Sequence, residues 1–376
     1  TYEPGSTAKP FTTAMGLETG AITGNEVYQC GGVLESGGYK IRCHNTWGDG
    51  DVGVEDGIAW SCNVALMKEA QAIGITRFAQ FQQAFNFGLR TNIDLEGETR
   101  TASLILDADH MTPTDLLTYS FGQGFNVTMI EMITGYCSLI NGGYYYEPHM
   151  VDKITNANGA TVENIEPRVL RQTISESTSE RIIQYCNAVV MRENDTRITG
   201  RTARPAGYAI GGKTGTAQTF DRDTGKRSKE EYVVSFIGHA PKDDPQIAIY
   251  VVVDRANASD QADAKFATGI VRNILTEVLP YLNIYMTEEL SGAEIQELAE
   301  RQLAITNQYT RTPEEEELEG IQSQEPQSTP QPPASQPAWM NFPVDSATGH
   351  RVDPATGEHY DPDTGDAING SWGALE

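Results

Sequence analysis

Apolar and polar positions divide the chain into a helical front, a stranded later part and a tail that follows neither pattern. After Pro10 the run FTTAMGLETG has helical spacing and stops at Gly20, a residue suited to ending a helix. Residues 21–56 are glycine-rich and read as loop. Asp56 is placed to cap a helix through Gly57–Ser61, and Val64–Ile73 returns to helical spacing. Residues 113–140 predict a loop and then a helix ended by Asn141, Gly142 and Gly143, and Thr178–Met191 predicts another. Three short β-branched segments follow, GYAIGGKTGTAQ, EEYVVSFIGHAP and PQIAIYVVVDR, each bounded by turn residues. The loop DRDTGKRSK joins the first two and predicts an antiparallel meander, and Phe266–Leu282 predicts a long helix. This order predicts an α+β fold, an antiparallel sheet flanked by helices, over residues 1–285, with a helical extension over 286–311.

Composition changes at residue 312. The last 65 residues hold 13 Asp and Glu against the single Arg351, or −12 of the formal −25 of the whole chain. A charged run, a Pro/Gln-rich stretch and an eight-residue repeat (DSATG at 345, DPATG at 353, DPDTG at 361) predict a solvated, mostly disordered tail with repeated tight turns. So acidic a chain lacks the basic face that nucleic acid requires. No run of 18 apolar residues occurs, so no membrane-spanning helix is predicted. The first residue is Thr1, and chemistry-bearing residues follow at once with no strand before them, so the chain reads as the back part of something longer.

Three strings carry the chemistry. Ser6-Thr7-Ala8-Lys9 precedes the first helix, so a serine hydroxyl and an amine one turn later share a face in the positive field of the helix start. The amine can take the hydroxyl proton, which a serine must lose before it attacks. Ser61-Cys62-Asn63 joins two helical stretches: Ser61 can relay a proton, and Asn63 can hold an amide backbone. Lys213-Thr214-Gly215-Thr216 lies in a strand, where Lys213 and the threonine hydroxyls suit a carboxylate. Gly215 admits a ligand close to the backbone, and the Thr216 N–H can complete an oxyanion hole. There is no G-x-S-x-G elbow, and no histidine has a catalytic setting.

Five cysteines occur, Cys30, Cys43, Cys62, Cys137 and Cys186, without a C-x-x-C pair. With six scattered histidines this predicts no metal site, and buried thiols are the plain reading. Cys43 and Cys62 also form a possible redox pair, with Cys30–Cys43 as the rival pairing, in an oxidising compartment.

The three strings in this order make the chain resemble the transpeptidase domain of the class B penicillin-binding proteins. The flanks YEPGST, FGQGFNVT at 121–128, INGG at 140–143, GKTGTAQ at 212–218 and SFIGHAP at 235–241 extend the resemblance over residues 1–285. It implies a cofactor-free D,D-transpeptidase that crosslinks peptidoglycan stem peptides ending in D-Ala-D-Ala through a Ser6 acyl-enzyme, and that β-lactams acylate. Lys9 is then the base, Ser61 and Asn63 the relay and positioning pair, Lys213, Thr214 and Thr216 the carboxylate edge, and the N–H groups of Ser6 and Thr216 the oxyanion hole. It also implies an extracytoplasmic location, an N-terminal membrane anchor absent from this sequence, and a membrane glycosyltransferase partner. Elongation, division and sporulation roles stay open. A cysteine inside the second string resembles the sporulation-specific branch, where such a residue is redox-controlled. Asn92 stands where the family usually shows glycine, and DRANASDQADAKF replaces its usual Pro- and Gly-bearing segment. The alternatives are a serine β-lactamase or β-lactam-sensing receptor, with Glu96 or Glu98 as the water-activating acid, and a non-enzymatic scaffold served by the tail.

Overall fold

Tyr2 opens the chain in a two-way backbone bridge with Val127, and a single 3₁₀ turn at Gly5–Ala8 leads into helix α1, Lys9–Glu18. The computed structural model describes residues 1–220, 226–301, 343–345, 349–354, 356, 358–362 and 367. Every residue of α1 from Lys9 to Gly16 is buried, the signature of a helix enclosed on all sides rather than lying on a surface. Its hydroxyls are paired accordingly: Thr12 donates to the Ser120 carbonyl (2.9 Å) and Thr13 to Glu69 Oε2 (2.7 Å). Phe11 packs edge-on against Phe85 and Phe87, with centroids 5.1 and 5.0 Å away.

Residues 21–53 correct the loop expected there. They hold β1 (Val27–Cys30), β2 (Val33–Ser36), β3 (Tyr39–Arg42) and β4 (Gly50–Gly53). β1 pairs with β4 and β2 with β3, both antiparallel. Gly37 and Gly38, with φ of 56° and 82°, make the two-residue turn that the β2–β3 hairpin needs. Most side chains of these strands are exposed, so no apolar alternation announces them.

Helix α2 (Val54–Ala59) starts three residues earlier than expected. Asp56 is its third residue, and its carboxylate accepts from the Gly53 N–H instead of forming the cap itself. α3 (Asn63–Ile73) follows, and Gly74 (φ 80°) breaks it from α4 (Ile75–Ala84), which sequence did not predict. α5 (Pro113–Tyr119) and α6 (Met129–Ile140) open with the reciprocal capping pairs Thr112–Asp115 and Thr128–Glu131. Four more short strands follow: β5 (Tyr144–Tyr146), β6 (Lys153–Thr155), β7 (Thr161–Asn164) and β8 (Val169–Gln172), paired β5–β8 and β6–β7. α7 (Glu176–Met191) then leads to the meander of β9 (Gly211–Phe220), β10 (Arg227–Ala240) and β11 (Ile247–Asp254).

The meander is antiparallel in the order β11-β10-β9. α7 packs on β9, and α8 (Lys265–Tyr281) covers β10 and β11. The architecture is therefore the α+β one, an antiparallel sheet flanked by helices. α9 (Gly292–Glu300) folds back onto the same unit: Leu298 and Met286 are buried, and the N–H groups of Thr287 and Glu288 both donate to the Gly207 carbonyl.

By its contacts the chain separates into Thr1–Thr310 and Arg311–Glu376. In the second unit β12 (Arg351–Val352) pairs with β13 (His359–Tyr360). The Asp345 N–H donates to the His350 carbonyl, and the Asp353 N–H to that of Glu358, equivalent places in successive repeats. The acidic run and the Pro/Gln-rich stretch for which disorder was predicted lie outside the described residues, as do most of DRDTGKRSK and the end of the last repeat.

Candidate active site

The turn carrying Ser6 is fixed by what surrounds Gly5. Gly5 has φ +59°, and a side chain there would meet the Thr216 carbonyl of β9 at 2.9 Å. Gly5 N–H donates to the Gly122 carbonyl (2.9 Å), and a Cβ on Gly122 would fall 1.9 Å from the Gly5 carbonyl oxygen. FGQG and EPGS are thus glycine-bearing because two backbones touch. Glu3 locks the same corner: it takes a two-pronged ion pair from Arg227 (2.7 and 2.8 Å) and a hydrogen bond from the Gly124 N–H (2.8 Å).

Gly215 is enclosed by the chain itself. A Cβ there would lie 2.4 Å from Ser235 Oγ, 3.0 Å from Thr7 Cγ2 and 3.1 Å from the Pro4 carbonyl. The close approach it permits here is that of the chain's own Ser6 turn and neighbouring strand.

Lys9 and Lys213 are both fully buried and meet at Ser61. Each Nζ lies 3.0 Å from Ser61 Oγ. Lys9 also donates to the Ser61 carbonyl and to Asn63 Oδ1 (2.8 Å). Burial pulls the Lys9 amine down to about 8, against the opposing pull of Cys43, Cys62, Asp49 and Glu69. Burial, and then the charge of Lys9, hold Lys213 well below an ordinary lysine. Ser61 has φ +61°, a strained backbone for a residue with a side chain. Asn63 reaches the Arg42 carbonyl through Nδ2 (3.2 Å). Thr214 donates to Thr199 Oγ1 (2.7 Å) and is buried, whereas Thr216 is half-exposed, with its hydroxyl 3.5 Å from the Ala262 carbonyl.

Several contributors carry no motif. Trp60 Nε1 donates to Asp195 Oδ2 (2.6 Å), the Arg197 guanidinium stacks 3.3 Å over the indole, and Arg192 pairs with Glu55, Asp56 and Asp195. Glu69 lies buried beneath Lys9's helix, and burial pushes its carboxyl up to about 8.

The fold also gathers residues that the sequence did not group. Cys30, Cys43, Cys62 and Asp49 put one ligand atom each within 4.8 Å of one another. All five cysteines are free thiols. Cys43 Sγ is 3.8 Å from Cys62 Sγ. Cys43 is held below an ordinary thiol by its hydrogen bond with Cys62, and Cys62 is raised by the same bond and by burial. No C-x-x-C pair announces this cluster, because its three cysteines and Asp49 come from four separate segments.

Residues 1–276 match the family described as the penicillin binding protein transpeptidase domain. The chain is 35% identical over 289 residues to stage V sporulation protein D of Bacillus subtilis, covering 76% of this chain and 43% of that protein. It is 29% identical over 269 residues to the peptidoglycan D,D-transpeptidase MrdA of Acinetobacter baumannii, covering 67% of this chain and 37% of the other. Its fold is similar to that of penicillin binding protein 3 from Mycobacterium tuberculosis in complex with aztreonam, with TM-score 0.69 and 27% identity over 77% of this chain and 64% of that one. The chain spans less than half the length of these curated relatives. No helix among the described residues is long and apolar enough to cross a membrane. With its three strings converging on one buried corner and the match running over its first 276 residues, the chain belongs to the penicillin-binding protein transpeptidase-domain family.

Proposed function

We propose that this chain is the catalytic part of a peptidoglycan D,D-transpeptidase working through a Ser6 acyl-enzyme. The observation that carries it is Ser61 Oγ held 3.0 Å from two buried amines, Lys9 and Lys213, beside the Ser6 turn. Ser6 attacks the penultimate D-Ala carbonyl while Lys9, in the neutral form that burial makes more accessible, takes the hydroxyl proton. The N–H groups of Ser6 and Thr216 hold the oxyanion. Ser61 passes a proton to the departing D-Ala amine, and a neighbouring stem's amine then attacks the acyl-enzyme and frees Ser6. Lys213, Thr214 and Thr216 receive the stem carboxylate, and Asn63 positions its amide. β-Lactams acylate Ser6 as substrate mimics, in keeping with the aztreonam complex of the similar M. tuberculosis protein. An N-terminal membrane anchor, an extracytoplasmic site of action and a glycosyltransferase partner belong to the same proposal.

Against the β-lactamase reading, Glu98 accepts from the Thr91 N–H and hydroxyl and the Asn92 N–H, and Glu96 is exposed. Neither carboxylate stands ready to activate water for deacylation.

The test is incubation with a penicillin followed by intact mass, alongside Ser6→Ala and a thermal melt. One persistent adduct, absent in Ser6→Ala, supports the transpeptidase; rapid turnover of the β-lactam favours the β-lactamase. No adduct on a cooperatively melting chain overturns both.

A further inference from the structure

Hydroxyls from the first residues of the chain and from β11 meet at the Ser6 turn. Gly215 pairs with Ser235, and Ile237, two residues on, pairs with Tyr250, so Gly215, Ser235 and Tyr250 face one side of the meander. Thr7 packs onto that face, its Cγ2 lying 3.0 Å from where a Gly215 Cβ would stand. Thr7 Oγ1 is 2.7 Å from the Pro4 carbonyl oxygen and 3.4 Å from Tyr250 Oη. Tyr250 Oη is in turn 2.6 Å from Tyr2 Oη. Burial pushes both phenols up, so each keeps its proton.

The order of the protons follows by elimination, because a hydroxyl donates only once. The Pro4 carbonyl can only accept, so Thr7 spends its proton there. Tyr250 must then donate to Thr7, and Tyr2 to Tyr250. The result is a one-way chain, Tyr2 to Tyr250 to Thr7 to the Pro4 carbonyl, in which each bond polarises the next. Its start is anchored as well: the Tyr2 N–H and carbonyl both pair with Val127, at 3.1 and 3.0 Å.

The chain ends on the peptide unit just before the one that leads into Ser6. The Pro4–Gly5 unit has its carbonyl held by Thr7 and its N–H held by the Gly122 carbonyl (2.9 Å). A peptide unit is planar, so fixing both polar ends fixes its plane. The next unit, Gly5–Ser6, carries the Ser6 N–H. Gly5, at φ +59° and without a side chain, does not restrain that N–H by itself.

We infer that Tyr250 and Tyr2 are positioning residues for acylation: through Thr7 they hold the Pro4–Gly5 peptide and so aim the Ser6 N–H and hydroxyl. The inference rests on Ser6 being the nucleophile, as proposed above. Tyr250 lies 243 residues from Thr7, in a strand that carries none of the three strings.

The test separates binding from acylation in the full chain, using a fluorescent penicillin in stopped flow. It reads the Kd of the first complex and the rate constant k2 of the acylation that follows. Tyr250→Phe keeps the ring and loses the donor, so k2 is expected to fall about tenfold with Kd unchanged. Tyr2→Phe should cost less. The double variant should be no slower than Tyr250→Phe alone, because the chain is already cut at its second member. Thr7→Val should slow k2 as Tyr250→Phe does, whereas Thr7→Ser should keep it near wild type. Tyr39→Phe, exposed on β3, should change neither constant. The inference is overturned by full k2 in Tyr250→Phe, by a loss carried by Kd alone, or by Tyr2 and Tyr250 losses that multiply. Should the tyrosine variants fail to melt cooperatively, the Thr7 variants decide, and equal k2 in Thr7→Val and Thr7→Ser overturns it. A cooperatively melting wild type that takes no penicillin overturns the Ser6 reading itself, and this inference with it.

Discussion

Trp60 Nε1 donates a 2.6 Å hydrogen bond to Asp195, a partner 135 residues away in sequence. Trp60 immediately precedes Ser61, whose φ of +61° must be held against its own preference. Asp195→Ala removes a charged hydrogen-bond acceptor worth about 1–3 kcal/mol and frees the indole. Acylation by a labelled penicillin is expected to slow about tenfold or more, with the melt still cooperative. An unchanged rate would show that Ser61 keeps its backbone without this support.

The Lys9 amine, pulled down to about 8, sets a pH dependence. If it acts as the base, its neutral form grows as pH rises, and acylation should climb about tenfold between pH 7 and 9. Lys9→Arg, which cannot deprotonate, should abolish the climb and nearly all acylation. Second-order rates across pH, read by adduct mass, provide the check.

Glu69 makes an opposite statement about stability. Its carboxyl is raised to about 8 in the fold, so the folded chain keeps a proton that the unfolded chain loses near 4.5. The contribution is fully present below that lower value and is lost as pH rises through about 8. Between these limits wild type should lose about 1.4 kcal/mol per pH unit relative to Glu69→Gln. Parallel denaturant titrations at several pH values would show equal slopes if the carboxyl were in fact ionised in the fold.

Gly215→Ala places a methyl against Ser235 Oγ and the Ser6 turn. Overpacking of this kind costs about 1–3 kcal/mol. The Ser6 turn should shift away from Thr216, so acylation is expected to fall more than stability does. Adding Ser235→Ala removes the tightest of the three contacts and should restore part of the rate. A double variant no faster than the single one would place the strain elsewhere.

The parts legible in sequence were those whose pattern is local. β9, β10 and β11 are β-branched and turn-bounded, and α1 and α8 have clear spacing and ends. Ser6, Lys9, Ser61, Asn63 and Lys213 could be named because each sits in a short string, and the structure gathers the two lysines, Ser61 and Asn63. β1–β4 were missed because their side chains are mostly exposed, although Gly37-Gly38 was a hairpin signal in plain view. Asp195, Thr199 and Arg192 reach the site across more than a hundred residues or from an unremarkable loop. Cys30 and Asp49 join Cys43 and Cys62 only after four segments have folded together. What packs against Gly215 depends on its register with Ser235, which no local string encodes.

The meeting of Lys9, Ser61 and Lys213 has a consequence for how the molecule is made. The contacts at Ser61 close loops of 52 and 152 residues. Such long-range closures reward the chain only after the entropy of bringing their ends together has been overcome. During synthesis the Ser6 turn leaves the ribosome long before β9, so the nucleophile and its amine must wait for a strand made about two hundred residues later.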